Sequence, residues 1–163
     1  QAECRVIAGD DGACLTAILG SCVAACLWDP AARVGGMNHF LLPRRNGGGA
    51  LTAMSAGSTA MEVLVAECLA AGASRGRLQA RLFGGGRVVQ LLSDIGARNV
   101  AFARAFLDAE GIPVVSEGVG GSRARRIYFW PCTGGFRQRL IVDPAGEALA
   151  GDGKWCGAAE GSR

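Results

Sequence analysis

The chain has 163 residues, half of them hydrophobic and 19% charged, with a formal net charge of +3 at pH 7 and a mean hydropathy of +0.25. That is the length of one domain with enough apolar material for a core, which excludes a disordered chain, and no apolar run reaches the roughly 20 residues of a membrane span. The positive charge is weak and dispersed, so neither a nucleic-acid partner nor membrane insertion is expected.

In chain order, residues 15–29 (LTAILGSCVAACLWD) form an apolar run interrupted by Gly20-Ser21 and continuing as a buried strand from about Cys22 to Trp28. Asp29-Pro30 ends it, because the residue before a proline avoids helical geometry and proline lacks a ladder donor. After a turn through Val34-Gly35-Gly36, MNHFLL predicts a second short strand ended by Pro43, and PRRNGGGA (43–50) a glycine-rich mobile loop. Met61, Leu64, Val65, Cys68 and Leu69 recur with helical spacing and predict an amphipathic helix over about 58–71, with Ser55 or Ser58 as N-cap and Gly72 as terminator. LQARLF (78–83) predicts a strand entering Gly84-Gly85-Gly86. A second helix follows, capped by Asp94 and stopped by Gly111 with Pro113 beyond, with Val100, Ala103 and Leu107 inward and Phe102 and Phe106 beside them. Further strands are predicted at 112–115, 126–130 and 139–142, and residues 144–163 form a small, polar, flexible tail. Strands interrupted by helices give a single α/β (α+β) domain over 1–163, with mixed β-sheets flanked by helices.

The seven cysteines fall at 4, 14, 22, 26, 68, 132 and 156, an odd number at irregular spacing with no CxxC pair. They form neither a disulfide framework nor a zinc set, so a reducing cytoplasm, no metal and no cofactor are expected. Gly20-Ser21-Cys22 stands at the mouth of a buried strand, and His39, the only histidine, follows seventeen residues after Cys22 on or beside the next strand. A thiol needs a base to become a nucleophile, and His39 is the one imidazole available. Gly20 would let the backbone turn and, with Ser21, present N–H groups to an oxyanion. The competing reading is plain: free cysteine is among the most buried residue types, and a lone histidine beside Met37 and Phe40 is commonly a core residue. Ser21 also reads as a turn residue, Gly84–Gly86 as a tight turn, Cys26 as core, and Arg123, Arg125 and Arg126 as either a steering patch or a solvated strand edge.

TAILGSCVAACLWDP (16–30) followed by RVGGMNHFLLP (33–43) resembles the signature of the chemoreceptor glutamine deamidases, the CheD family of bacterial chemotaxis. GASRGRLQARLFGGG (72–86), DIGARNVAFARAFLDAEGIPV (94–114) and GVGGSRARRIYFWPCTG (118–134) resemble later segments of that family in order, so the likeness covers about 14–142. The resemblance implies a Cys-His-Thr triad of Cys22, His39 and Thr16, the threonine lying six residues before the cysteine. It also implies a cytoplasmic monomer that converts glutamine side chains of chemoreceptors to glutamate through a thioester, with receptor methyl esters as a further candidate substrate. A regulatory module that engages receptors and a CheC-type phosphatase, with catalysis secondary, is the competing implication.

Overall fold

The apolar stretch from Leu15 to Trp28 divides at Gly20-Ser21 into two strands that join different sheets. In the computed structural model, which describes residues 3–42, 50–88 and 95–141, the elements run β1 (Glu3–Ala8), β2 (Leu15–Leu19), β3 (Val23–Asp29), β4 (Val34–Phe40), α1 (Ala50–Ala70), a 3-10 turn (Arg75–Arg77), β5 (Gln79–Gly84), α2 (Ile95–Ala109), β6 (Val114–Val119), β7 (Arg125–Trp130) and β8 (Gly135–Leu140). One sheet has the order β1-β4-β3-β5-β6 and the other β2-β7-β8. All pairs are antiparallel except β5 with β6. This is the expected α+β class.

Strand β3 is buried at every residue because it is central in the larger sheet and covered on both sides. Val23, Ala25 and Leu27 face the helices, packing with Met61 and Leu64 of α1 and Val100 and Leu107 of α2. Ala24, Cys26 and Trp28 face the smaller sheet, packing with Leu15, Ala17, Leu19, Ile127 and Phe129. The result is three layers, helices on the five-stranded sheet on the three-stranded sheet, with an apolar core on each side of β3. At the end of the inter-sheet layer remote from Cys22, the Arg81 guanidinium lies between the rings of Trp28 and Phe136, 4.8 and 4.6 Å from their centroids, a cation–π sandwich that closes it.

Several boundaries differ from the sequence reading, each for a definable reason. Gly35-Gly36, read as a turn, lies inside β4. A Cβ at Gly35 would stand 2.3 Å from the Pro131 carbonyl oxygen, and one at Gly36 would stand 2.6 Å from that of Arg5, so these glycines permit close strand packing. Helix α1 begins at Ala50, which places Ser55 and Ser58 inside it. Gly57 is interior too, because its missing side chain leaves room for Leu42 and Phe102, 2.5 and 2.9 Å from where a Cβ would sit. Ser58 donates to Glu62 instead of capping. Gly72 does end the helix, with φ +108°, Gly72 N–H bonded to Leu69 O and Ala73 N–H to Cys68 O, a Schellman motif.

Helix α2 ends the same way, with Gly111 N–H on Asp108 O and Ile112 N–H on Leu107 O. Ile112 therefore belongs to the helix terminus, and the strand predicted there starts two residues later. Strand β8 starts at Gly135 because the turn after Trp130 pairs Trp130 with Gly135, forming a hairpin whose exposed second strand has little apolar pattern to read. Arg125 is the clearest correction to the solvated-edge reading. It is only 4% exposed, donates to the carbonyls of Gly118 and Gly120, and is less basic than usual because burial disfavours its charge. Of the predicted loop 43–50, Ala50 opens α1 instead, and residues 43–49, the Asp94 cap and the tail from 144 lie outside the described residues.

The Asp29-Pro30 stop has a structural role of its own. The Asp29 carboxylate is fully buried and accepts from the N–H groups of Ala31, Ala32 and Ser74 and from the Arg77 guanidinium. Burial pushes its pKa up, but these hydrogen bonds outweigh it and hold the carboxyl at about 2, below the usual 3.8. The stabilisation is therefore complete above about pH 4 and lost as pH falls toward 2. Asp29→Ala is expected to cost roughly 3 kcal/mol, because it leaves buried N–H groups unpaired, as read by urea unfolding. Asp29→Asn is expected to flatten the acid limb of thermal stability.

Candidate active site

Cys22 is the last residue of the turn between β2 and β3. In β3, Ala24 pairs with His39 of β4 and Val23 with Phe40. Strand alternation puts Cys22, Ala24 and Cys26 on one face and His39 with Met37 on the same face, toward the smaller sheet. Cys22 and His39 are thus diagonal cross-strand neighbours, a relation with a backbone separation of about 7–8 Å. Both are partly buried. Leu41, two residues past His39, is an exposed apolar side chain at the end of this strand.

The environment keeps both groups neutral. Burial pushes the Cys22 thiol above its ordinary 9.0, and the nearby N–H groups of Gly20 and of Cys22 itself offset this only in part. Burial likewise lowers His39 below 6.5, opposed by Glu3, its cross-strand partner on β1. At neutral pH both groups are therefore uncharged, a thiol and a neutral imidazole.

The turn carrying Cys22 is clamped from behind. Gly86 N–H donates to Gly20 O at 2.7 Å and Gly85 N–H to Cys22 O at 2.8 Å, while Asn99 Nδ2 of α2 donates to Ser21 O at 2.8 Å. The expected sharp glycine conformation is found in the facing loop, at Gly84 (φ +102°) and Gly85 (φ +63°), and not at Gly20. A Cβ at Gly84 would lie 2.1 Å from Cys22 O, so only glycine lets the two segments meet. Ser21 contributes its carbonyl to this clamp.

Thr16 sits on β2 in the other sheet, its side chain on the face opposite Leu15 and Ala17 by strand alternation. Its hydroxyl donates to Ile127 O at 2.8 Å. Among the described residues no hydrogen bond joins Thr16 to His39. With its single proton already donated, the hydroxyl retains only acceptor capacity.

Sequence reasoning missed the two buried asparagines. Asn99, fully buried, also accepts from Leu42 N–H at 2.9 Å, so one amide joins the Cys22 turn to the end of the His39 strand. Asn38, fully buried beside His39, accepts from Ala25 N–H and donates to Ala60 O, fixing β4 to α1. A polar amide inside an otherwise apolar pattern was the available signal. Of the cysteines, Cys26, Cys68 and Cys132 are buried, and Cys4 faces Glu67. Burial raises the thiols of Cys26 and Cys68, and Cys4, chiefly by burial and then by the Glu67 charge, is pushed up to about 12. Among the described residues no three metal-binding side chains converge.

Comparison with known proteins places this geometry. A family model described as CheD chemotactic sensory transduction matches residues 41–139. The chain is 51% identical over 146 residues to a probable chemoreceptor glutamine deamidase CheD of Caulobacter sp. (strain K31), covering 87% of this chain and 76% of that protein. The chain belongs to the CheD family. A CheD of Acidiphilium cryptum is 54% identical over 147 residues, with the same shares covered, and one of Rhizobium meliloti is 48% identical over 149, covering 87% and 78%. The CheD family match begins two residues after His39, so the placement of Cys22 and His39 rests on the register of β3 with β4. Asn99 and Gly84–Gly86 lie within the match.

Proposed function

We propose that this protein is a chemoreceptor glutamine deamidase in which Cys22 is the nucleophile and His39 the general base and acid. The observation that carries the reading is the position of Cys22: on a turn clamped at three carbonyls, one diagonal step from the chain's single imidazole. His39 takes the thiol proton as sulfur attacks the carboxamide carbon of a glutamine side chain, and the N–H groups of the Gly20–Cys22 turn receive the oxyanion. His39 returns the proton to nitrogen, the C–N bond breaks, and ammonia leaves a γ-glutamyl thioester. Water, giving its proton to His39, then attacks the thioester, and glutamate is released as the Cys22 thiol re-forms. Thr16, on the other face of β2 with its hydroxyl on Ile127 O, takes no step in this sequence. Receptor γ-glutamyl methyl esters are a second substrate class for the same site, since methanol leaves from an equivalent tetrahedral intermediate.

The test is incubation of a receptor cytoplasmic fragment with wild type and Cys22→Ala, reading glutamine-to-glutamate conversion by peptide mass. Conversion by wild type and none by Cys22→Ala is expected. Equal conversion by both would overturn the assignment, and a Cys26→Ala variant with retained conversion shows that the loss is specific to one thiol.

A further inference from the structure

We propose that Asn99 is a positioning residue for the deamidation step, holding the Ser21–Cys22 peptide so that the Cys22 N–H points at the oxyanion of the tetrahedral intermediate. This rests on the nucleophile assignment above and adds to it a residue on a different element. The carbonyls of Gly20, Ser21 and Cys22 are each held by a separate donor behind the turn, Gly86 N–H, Asn99 Nδ2 and Gly85 N–H. The described chain has no cis peptide bond, and in a trans peptide the C=O of one residue and the N–H of the next point in opposite directions. Fixing Ser21 O against α2 therefore aims the Cys22 N–H the other way, away from the helix, and that N–H is one of the two that favour the Cys22 thiolate.

The middle peptide is the only one of the three whose carbonyl is held by a side chain, so a substitution at that side chain removes its donor outright. Asn99 suits the task in both of its functions. Its Nδ2 holds Ser21 O, while its Oδ1 accepts Leu42 N–H, which tethers the amide so that it cannot rotate away. The same tether joins the turn to the strand carrying His39. An aspartate of equal size keeps the bond to Leu42 but sets a carboxylate against Ser21 O, where two acceptors repel.

The discriminating experiment compares two reactions of Cys22. Deamidation needs both a nucleophile and an oxyanion donor, whereas alkylation by iodoacetamide displaces iodide at a saturated carbon and forms no oxyanion. In the full chain, Asn99→Asp and Asn99→Ala are expected to lower kcat on the receptor fragment by roughly 10–100-fold with KM changed less than about twofold. Alkylation of Cys22, followed by peptide mass, is expected to change less than about threefold. Unchanged kcat overturns the proposal, and so does a parallel loss in both reactions, which would mark Asn99 as a tie of general stability. Should both variants unfold, Asn99→Gln keeps donor and acceptor one methylene further out and is expected to show the same split at smaller size; equal losses in both reactions overturn the proposal there too. Cys22→Ala in the same assay separates the two readings: conversion retained by that variant removes the nucleophile assignment itself.

Discussion

His39→Gln is expected to lower kcat for receptor deamidation by roughly 10³-fold or more, because glutamine preserves a polar side chain of similar reach but takes up no proton. No other imidazole exists in the chain to replace it. The pH dependence follows from the direction of the two shifts. His39 lies below 6.5 and Cys22 above 9.0, both chiefly through burial. The active form, neutral imidazole with intact thiol, therefore spans the whole interval between those values and extends past each end. A plot of kcat/KM is expected to rise with an acid limb below the ordinary histidine range and to fall only above the ordinary thiol range. In His39→Gln the acid limb should vanish, since the group that titrates there is gone. A thiolate–imidazolium pair predicts the opposite at low pH, with fast alkylation of Cys22 near pH 5 that requires no hydroxide. Rapid acid-range alkylation, or an acid limb at or above 6.5, would refute the neutral pair.

The same burial couples His39 to stability. Its folded pKa is depressed, so the fold favours the neutral ring, and that contribution is present above the ordinary imidazole range and lost as pH falls below it. Asp29 behaves likewise at lower pH. Acid thus weakens the fold through His39 below the ordinary imidazole range and through the Asp29 anchor as pH falls toward 2.

How far the sequence revealed this arrangement depends on what each residue contacts. β3 was legible because a strand covered on both faces reads as an unbroken apolar run, and α2 because its stripe and its glycine stop are local signals. The division of that run into β2 and β3 was visible as Gly20-Ser21, but local pattern does not say that the two halves pair in separate sheets. Gly35 and Gly36 read as a turn because the close approach that requires them comes from Pro131 and Arg5, distant in sequence. Cys22 and His39 stood out by the rarity of histidine and by family resemblance. Asn99 did not, since its partners lie at positions 21 and 42 and a long-range backbone contact leaves no periodic trace. Arg125 misled for the complementary reason: a charge in an arginine-rich segment reads as surface, whereas backbone carbonyls of Gly118 and Gly120 receive it in the interior.

Gly84→Ala is the substitution expected to harm both stability and catalysis most while touching no reacting group. Two effects act at this position: a positive φ of +102°, and a Cβ that would meet Cys22 O at 2.1 Å and the Val23 Cα at 3.2 Å, both backbone atoms. Gly72 separates them, because its φ of +108° is nearly the same and no atom lies within 4 Å of where its Cβ would sit. Gly72→Ala is expected to cost about 1–2 kcal/mol, the conformational term alone, with kcat unchanged. Gly84→Ala carries that term and must also displace the Cys22 carbonyl from the Gly85 N–H, so a loss of roughly 3 kcal/mol or more is expected. Because that carbonyl belongs to the nucleophile itself, kcat should fall as well, by about 100-fold for a displacement on the order of 1 Å. Urea unfolding of both variants, with kcat measured where each is folded, gives the comparison. Equal destabilisation at the two glycines would show that the facing loop yields, and that the closeness of Gly84 to Cys22 is not what holds the nucleophile in place.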